Sequence, residues 1–194
     1  MQYPVDVWTV SLIGADAARD LLSEEEMGRA NRFKFDGDRV RWSAARSALR
    51  LVLSKYAGIE PMQIDFRCGE HGKPSLTFEG DIEFNLSHAG DWALIAVTHN
   101  VPVGVDIERI REKIDMAPLL ERLGESNLPA AREELYQRWT RREARSKAAG
   151  GALFDKPPDT ICVASLNAPE GYTAAVALAG FTPLVSYCGG VGNL

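Results

Sequence analysis

"VGVDIERI", residues 103–110, is a short apolar run that carries two carboxylates two positions apart. Its branched apolar residues predict a β-strand, in which residues i and i+2 point to the same face. Asp106 and Glu108 would then lie side by side, where like charges repel and burial adds to the cost. Two interpretations are open. Either this is an edge strand with a solvated face, or the carboxylates bind a hard divalent cation such as Mg²⁺, which takes oxygen ligands.

The composition of the 194-residue chain is typical of a globular protein, with 45% hydrophobic and 25% charged residues. We find no run of about 18 apolar residues, and the N-terminus lacks the basic and apolar regions of a secretory signal. Cys68, Cys162 and Cys188 match neither a zinc-binding spacing nor a disulfide framework. These features predict a cytoplasmic protein without a membrane span.

The net charge of −5 is unevenly distributed along the chain. Residues 29–50 carry seven basic side chains against two acidic ones, and residues 132–147 carry six against three. Two basic segments in an acidic chain favour local anion sites and argue against a general nucleic-acid surface. Two solvated helix faces are the alternative interpretation.

Hydrophobic periodicity predicts alternating strands and helices. Residues 6–12 read as a strand, and Ser23 followed by Glu26 is a capping-box pattern that starts a helix. Helical spacing continues over residues 38–56 and ends at Gly58. Residues 82–99 read as two strands around a glycine turn. A second long helix is expected over about 127–149, ended by Gly150 and Gly151, and the tail reads as two or three strands.

The two halves of the chain have a similar order of elements. "GDWALIAV" at 90–97 resembles "EGYTAAVAL" at 170–178, since each is an aromatic residue preceded by glycine and followed by small and branched residues. The likeness is either a coincidence of strand composition or a faint internal duplication. A duplication would place a cleft between two similar lobes, with the boundary near residues 99–102.

Trp139, Glu143 and Lys147 are spaced four apart in "RWTRREARSKAAG", residues 138–150, and so share one helical face. One interpretation is a surface Glu–Lys pair worth roughly 0.3 kcal/mol, with the tryptophan in the core. The other has Glu143 facing the same cation as Asp106, and Lys147 reaching a phosphate.

Two further segments carry groups suited to binding an anion. In "FNLSHAGDW", residues 84–92, Ser87 and His88 are expected in a polar turn that presents hydroxyl, imidazole and backbone N–H groups. In "HGKP", residues 71–74, Lys73 is expected on a tight turn. The alternatives are a structural histidine and an exposed turn lysine.

Taken together, "HGKP", "FNLSHAGDW", "VGVDIE" and "WTRREARSK" resemble, in this order, the motifs of 4′-phosphopantetheinyl transferases. The chain looks like the larger, pseudo-dimeric group that activates peptide and polyketide synthetases, from about "RANRF" at 29–33 to Gly150. The resemblance implies an α+β fold of two similar lobes, residues 1–100 and 101–194. Each lobe would be a small, mainly antiparallel sheet packed on a long helix, with the active site in the cleft between them.

The resemblance implies transfer of the phosphopantetheine arm of coenzyme A to a serine of an apo acyl or peptidyl carrier protein, with release of adenosine 3′,5′-bisphosphate. Mg²⁺, or alternatively Mn²⁺, would be bound by Asp106, Glu108 and Glu143. Glu143 would also take the serine proton, directly or through a bound water, or mainly complete the metal site. The implied catalytic residues are Glu143, Lys147 and His88. The residues implied in coenzyme A binding are Lys73, Ser87, His88, Lys147, Arg29, Arg32 and Arg46.

The chain departs from the family pattern in three places. Arg142 stands where the family often has lysine, and Glu26 where some relatives carry a basic residue. The segment after Gly150 is also short, which predicts a compact second lobe. Binding of the nucleotide phosphate would therefore depend more on Arg29, Arg46 and Lys73.

Three rival functions are weighed against this interpretation. A non-enzymatic coenzyme A or nucleotide-binding protein of the same fold would not need the three carboxylates. Another Mg²⁺-dependent phosphotransferase or hydrolase is disfavoured, since the sequence has no P-loop and no G-x-G-x-x-G motif. The third rival is a structural or interaction protein with a solvated acidic strand.

Overall fold

The computed structural model describes residues 1–14, 20–69, 73–78, 80–113, 115, 117–124, 131–150 and 157–189. Within these ranges no helix is both long and apolar enough to cross a membrane. The α-helices of the described chain are α1 Glu24–Ala30, α2 Asp36–Ala57, α3 Ala117–Leu123 and α4 Arg132–Ala149. The strands are β1 Gln2–Ser11, β2 Phe66–Cys68, β3 Pro74–Leu76, β4 Ile82–Ala89, β5 Trp92–His99, β6 Val103–Arg109, β7 Ile161–Leu166, β8 Tyr172–Ala179 and β9 Thr182–Cys188.

The helix ends follow the local signals in the sequence. Ser23 and Glu26 form the reciprocal capping box that starts α1, and Gly58 ends α2 in the left-handed conformation at φ 67°. Gly150 ends α4 in the same way at φ 68°. The predicted helix at 38–56 is confirmed with two more residues at its start. The predicted helix at 127–149 is confirmed from residue 132, and residues 127–130 and 151 lie outside the described residues.

The described strands form three sheets. The first has the order β4-β5-β1-β9, the second pairs β2 with β3, and the third has the order β6-β8-β7. We call the first the amino-terminal sheet and the last the carboxy-terminal sheet. All pairs are antiparallel except β1 with β9. The α+β class is thereby confirmed.

The helices and the two larger sheets stack in four layers. Helix α2 packs on one face of the amino-terminal sheet through a cluster that includes Leu49, Leu53 and Ile95. The opposite face of that sheet packs against the carboxy-terminal sheet, burying Val5 with Val105 and other residues. Helix α4 covers the outer face of the carboxy-terminal sheet. Because residues alternate along β6, Val103, Val105 and Ile107 enter the core between the sheets, and Asp106 faces α4.

Two features of the amino-terminal sheet differ from the sequence expectations. Residues 82–99 form the expected hairpin, but its turn lies at Gly90 and Asp91, so Ser87 and His88 belong to strand β4 and not to a turn. Strand β9, from the end of the chain, pairs in parallel with β1 and thus joins the amino-terminal sheet. The sequence pattern could not reveal this pairing, because alternation identifies a strand but not its neighbour.

The structure describes the side chains of two of the three cysteines. Cys162 and Cys188 are free thiols, in agreement with the absence of a disulfide framework in the sequence. The side chain of Cys68, as well as His71 and Gly72 of the "HGKP" segment, lies outside the described residues.

Gly104 sets the distance between β6 and α4. A Cβ atom at this position would lie 2.1 Å from the backbone oxygen of Ala144 and 2.4 Å from the backbone nitrogen of Ala148. Both contacts are shorter than van der Waals separation and involve backbone atoms, which cannot rotate away. The helix can therefore lie this close to the strand only because residue 104 has no side chain.

We expect Gly104→Ala to lower the free energy of unfolding by about 3 kcal/mol, because overpacking against backbone forces the helix and strand apart. Urea unfolding followed by circular dichroism measures this. Gly28→Ala in the exposed helix α1 is the control, since an added Cβ there meets no atom within 4 Å. It should be neutral or slightly stabilising. An unchanged unfolding midpoint in Gly104→Ala would contradict the close approach of α4.

Candidate functional site

The face of β6 that lies under α4 carries two carboxylates. Asp106 is 4% exposed and Glu108 is half-buried. Across the sheet, Asp106 pairs with Ala175 and Glu108 with Thr173, so small residues leave space beside the acids. The two acidic side chains share one face, as the strand alternation predicts, and that face lies under a helix that buries Asp106 and partly covers Glu108.

Helix α4 brings three side chains to this face. Lys147 Nζ lies 2.7 Å from Asp106 Oδ1, and Trp139 Nε1 donates a hydrogen bond to Glu108 Oε1 at 3.3 Å. Glu143, one turn before Lys147, is 4% exposed. The interpretation as a solvated Glu–Lys pair does not describe this arrangement, because Lys147 pairs with Asp106 and Glu143 is buried.

Burial and neighbouring negative charge raise the pKa of two of these acids, Glu143 and Glu108. Burial, followed by the negative charge of Asp106, raises the pKa of Glu143 to about 7, and Lys147 opposes part of the shift. Burial and Asp106 likewise raise the pKa of Glu108. The cluster therefore binds a proton near neutral pH more readily than ordinary carboxylates do.

Two oxygens of this cluster are buried and have no hydrogen-bond partner among the described residues, namely Asp106 Oδ2 and Glu143 Oε1. Buried carboxylate oxygens are ordinarily satisfied, so these two oxygens are available to bind a cation, a proton or a water. In the described parts of the chain, no set of three or more His, Cys, Asp or Glu side chains is arranged as a metal cage. The donors fit a hard divalent cation such as Mg²⁺ or Mn²⁺, since Mg²⁺ takes oxygen ligands and is usually held by one or two carboxylates together with water.

Strand β4 supplies polar groups from the other sheet. Ser87 Oγ donates to Asp106 Oδ1 at 3.0 Å and accepts a hydrogen bond from Lys147 Nζ at 3.0 Å. Asn85, two residues earlier on the same face, accepts a hydrogen bond from the backbone N–H of Val105 at 2.9 Å. Asn85 is not among the candidate residues that the sequence motifs single out. Its signal was available, because asparagine and serine at i and i+2 within an otherwise apolar strand predict a shared polar contact.

His88 lies on the opposite face of β4 and is exposed. Partial desolvation and the positive charge of Lys147 lower the pKa of His88, and Asp38 opposes the shift. The structure therefore places Ser87 with the carboxylates and His88 on the side of the α2 N-terminus.

Lys73 is half-buried and binds protein carbonyl groups. Its Nζ donates to the backbone oxygens of Val103 at 3.1 Å and Lys147 at 3.0 Å. Burial lowers the pKa of Lys73, and Glu83 opposes this. The residue also lines a pocket of about 450 Å³ between β3, β4 and the C-terminal end of α4. Lys73 is thus not the exposed turn lysine of the simplest interpretation.

Arg29, Arg32 and Arg46 do come together, around a pocket of about 220 Å³ that Arg50 and Trp42 also line. Arg46 and Arg50 both form ion pairs with Glu26, which is 7% exposed. Burial alone would raise the pKa of Glu26, but the hydrogen bond from Ser23 N–H and the two arginines lower it. Arg46 also stacks over Phe66, with Cζ 3.8 Å from the ring centroid.

Comparison with known proteins gives a consistent result. Residues 6–100 match the family model described as 4′-phosphopantetheinyl transferase, N-terminal. The chain is 33% identical to the 4′-phosphopantetheinyl transferase HetI of Nostoc sp., over 91% of this chain and 88% of that protein. It is 30% identical to a 4′-phosphopantetheinyl transferase of Bacillus subtilis, over 78% and 73% of the two chains. It is 35% identical to the 4′-phosphopantetheinyl transferase AcpT of Escherichia coli, over 60% of each.

The raised pKa of Glu143 predicts a pH-dependent stability in the absence of divalent cations. Since the folded-state pKa of about 7 lies above the ordinary 4.5, the folded protein should lose stability as pH rises from about 4.5 to 7. Glu143→Gln should remove this loss, raising the melting temperature at pH 8 by about 5 °C and leaving it nearly unchanged at pH 5.

Thermal unfolding in chelator at both pH values checks this expectation. Glu133→Gln, an exposed glutamate in the first turn of the same helix, is the matched control and should behave like the unmodified protein at both pH values. If Glu143→Gln is less stable than the unmodified protein at pH 8, then burial and the neighbouring negative charges do not destabilise the ionised Glu143 carboxylate.

Proposed function

Because the chain belongs to the 4′-phosphopantetheinyl transferase family and is an enzyme of that class, we propose that it acts on coenzyme A and an apo acyl or peptidyl carrier protein. It would transfer the 4′-phosphopantetheine arm to a carrier serine and release adenosine 3′,5′-bisphosphate. The observation that carries this proposal is the buried acidic cluster under α4. Among the described residues, two of its oxygens have no hydrogen-bond partner, and Lys147 forms an ion pair with a third oxygen.

The reaction joins two substrates at phosphorus. The serine oxygen attacks the β-phosphorus of coenzyme A, the pyrophosphate P–O bond breaks, and the electron pair leaves on the adenosine bisphosphate. Serine is a poor nucleophile near neutral pH, so its proton needs an acceptor. The raised pKa of Glu143 supports this role, because a base works best when its pKa lies near the working pH.

The same acids would hold the divalent cation. Asp106, Glu108 and Glu143 are the proposed ligands, supported by the unpartnered oxygens of the first and last. When bound, Mg²⁺ or Mn²⁺ would supply positive charge to the pyrophosphate. Ser87 and Lys147 hold the other oxygen of Asp106, which leaves Oδ2 directed to the site.

Lys147 has less freedom than the family resemblance implies. Its ammonium group donates to Asp106 Oδ1, Ser87 Oγ and the backbone oxygen of Val105, so all three donors are used. We therefore propose that Lys147 mainly orients Asp106, and that a contact with the leaving phosphate would require exchange of one of these bonds.

The arginine pocket is the proposed site for the nucleotide phosphate. Arg29 and Arg32 are exposed at its rim, and Arg29 lies over the Trp42 ring at 5.3 Å. Arg46 contributes charge, but its ion pair with Glu26 and its stacking on Phe66 point to a structural role. His88, exposed beside the α2 N-terminus, remains a proposed phosphate contact.

For the overall arrangement we propose two lobes, residues 1–100 and 101–194, with the active site where the two large sheets meet. The contacts from β4 to Val105 and Asp106 support this location, because they join the two segments at the acidic cluster. Strand β9 would then belong to the second lobe by its position in the sequence, although it pairs with β1 of the first lobe.

Incubation of the protein with coenzyme A, Mg²⁺ and a panel of apo carrier proteins tests the proposal. Intact-mass measurement should show addition of one phosphopantetheine arm to at least one carrier. Asp106→Ala and Glu143→Gln should each lower transfer by about 10²–10³-fold, the typical effect of removing a group that stabilises developing charge. Glu133→Gln should retain activity. Near-normal turnover in either site variant would remove that residue from the mechanism, and coenzyme A binding without transfer to any carrier would favour the non-enzymatic alternative.

The arginine pocket generates a separate expectation. Arg29→Ala and Arg32→Ala should each raise the KM for coenzyme A about tenfold with little change in kcat, since a hydrogen bond to a charged group contributes about 1.5 kcal/mol or more. Arg67→Ala, an exposed arginine on β2, is the control. Steady-state kinetics with coenzyme A and dephospho-coenzyme A measure the effect. Equal use of both substrates by the unmodified enzyme would exclude a site for the 3′-phosphate.

A further inference from the structure

We infer that Asn85 and Lys73 are positioning residues that hold strand β6 by its open edge, and so place Asp106 beneath α4. The inference rests on the proposed function, since it concerns the placement of that function's acidic cluster. It differs from the role in coenzyme A binding that the family resemblance implied for Lys73, and it assigns a role to Asn85 for the first time.

Strand β6 is the end strand of the carboxy-terminal sheet. It pairs with β8 on one side, and along its other edge no described strand forms a ladder with it. Backbone N–H and C=O groups on such an edge need other partners when they are buried. Val103 and Val105 are both buried. Their backbone groups point away from β8, toward the edge of β6 that has no paired strand in the described chain.

Side chains take the place of the missing strand. The Val105 N–H donates to Asn85 Oδ1 at 2.9 Å, and the Val103 oxygen accepts from Lys73 Nζ at 3.1 Å. The Val105 oxygen accepts from Lys147 Nζ at 3.2 Å. We call these three contacts the edge bonds of β6. They come from β4, from the start of β3 and from α4, so one strand edge is tied to three separate elements.

Lys73 also fixes the helix relative to the strand. Its ammonium group donates at 3.0 Å to the backbone oxygen of Lys147, near the C-terminal end of α4, while it holds Val103. Gly104, between Val103 and Val105, is the point of closest approach of α4. Lys73 therefore joins β6 and α4 next to their closest contact, the position from which Lys147 reaches Asp106.

Asn85 positions Asp106 through the residue before Asp106, Val105, whose backbone N–H donates to the Asn85 side chain. The bond from Val105 N–H sets the register of β6 against β4, and Ser87, two residues along the same face of β4, then meets the Asp106 carboxylate. A one-residue slip would turn Asp106 away from α4 and into the apolar layer between the sheets. Asn85 is 6% exposed, so its contact with Val105 is shielded from water.

Asn85→Leu and Lys73→Met each remove one edge bond at nearly constant volume and leave the Lys147 bond in place, and Lys73→Arg keeps a donor. Thr98→Val is the matched control, because it removes a buried hydrogen bond of 2.6 Å to the Val101 oxygen that does not touch β6. Three quantities are measured for each folded variant. They are kcat with saturating coenzyme A and apo carrier, the Kd for adenosine 3′,5′-bisphosphate by calorimetry, and the hydrogen-exchange protection of the Val105 amide by NMR.

We expect Asn85→Leu and Lys73→Met to lower kcat by about 10–100-fold, as is typical when the group that orients an active-site ligand is lost. The nucleotide Kd should stay nearly constant in both. Lys73→Arg should retain most of the activity. Thr98→Val should lose melting temperature but keep its kcat. The Val105 amide should lose protection in Asn85→Leu and keep it in Thr98→Val, because only the first variant removes its acceptor.

Several results would overturn the inference. A raised nucleotide Kd with unchanged kcat in Lys73→Met would make that lysine a nucleotide contact. A kcat for Asn85→Leu equal to that of Thr98→Val would reduce Asn85 to general stability. Unchanged Val105 protection in Asn85→Leu would disprove the edge bond itself. The measurement of Val105 amide protection does not depend on turnover, so it tests the inference even if the unmodified protein modifies no carrier. A failure to modify any carrier would instead disprove the proposed function.

Discussion

The ion pair between Lys147 Nζ and Asp106 Oδ1, 2.7 Å long, is the contact on which the rest of the site depends. Asp106 lies close enough to Glu108 and Glu143 to raise the pKa of both, and Asp106 and Glu143 are almost completely buried. An isolated buried carboxylate costs several kcal/mol. The lysine offsets part of this cost for Asp106, while Asp106 Oδ2 and Glu143 Oε1 remain without a hydrogen-bond partner in the described residues. The cluster therefore carries negative charge that the described residues only partly compensate, and a bound divalent cation would offset the remainder.

This arrangement requires α4 to lie unusually close to β6. Gly104 permits the approach, because any side chain would strike the backbone of Ala144 and Ala148. The other face of β6 packs in the core between the two sheets through the buried side chains of Val103, Val105 and Ile107. The strand thus has an apolar face that packs into the core and a polar face that carries Asp106 and Glu108. The layer structure keeps both faces covered, so the acids are buried by the same packing that stabilises the fold.

Several residues proposed to bind substrate also make contacts that stabilise the fold. Arg46 lies in the basic pocket but is paired with Glu26, and Arg50 shares the same carboxylate. Lys73 belongs to a segment typical of phosphate binding but donates to two backbone carbonyls. His88 follows Ser87 in the chain but points to the opposite face of β4. In each case the sequence pattern singled out a charged or polar side chain, and its neighbours in space changed the interpretation.

The sequence alone determined the local structure and the chemical character of the site. Alternation predicted that Asp106 and Glu108 share a face, four-residue spacing predicted that Glu143 and Lys147 do, and Ser23, Gly58 and Gly150 marked the helix ends. The family resemblance, which rests on ordered motifs, was also available from sequence. Only the tertiary structure decided that β9 joins β1, that Lys147 pairs with Asp106, and that Asn85 and Lys73 complete the edge of β6. The physical reason is that these contacts join residues 20 or more positions apart. Periodicity and capping act within one element, whereas hydrogen bonds between elements depend on which elements packing brings together.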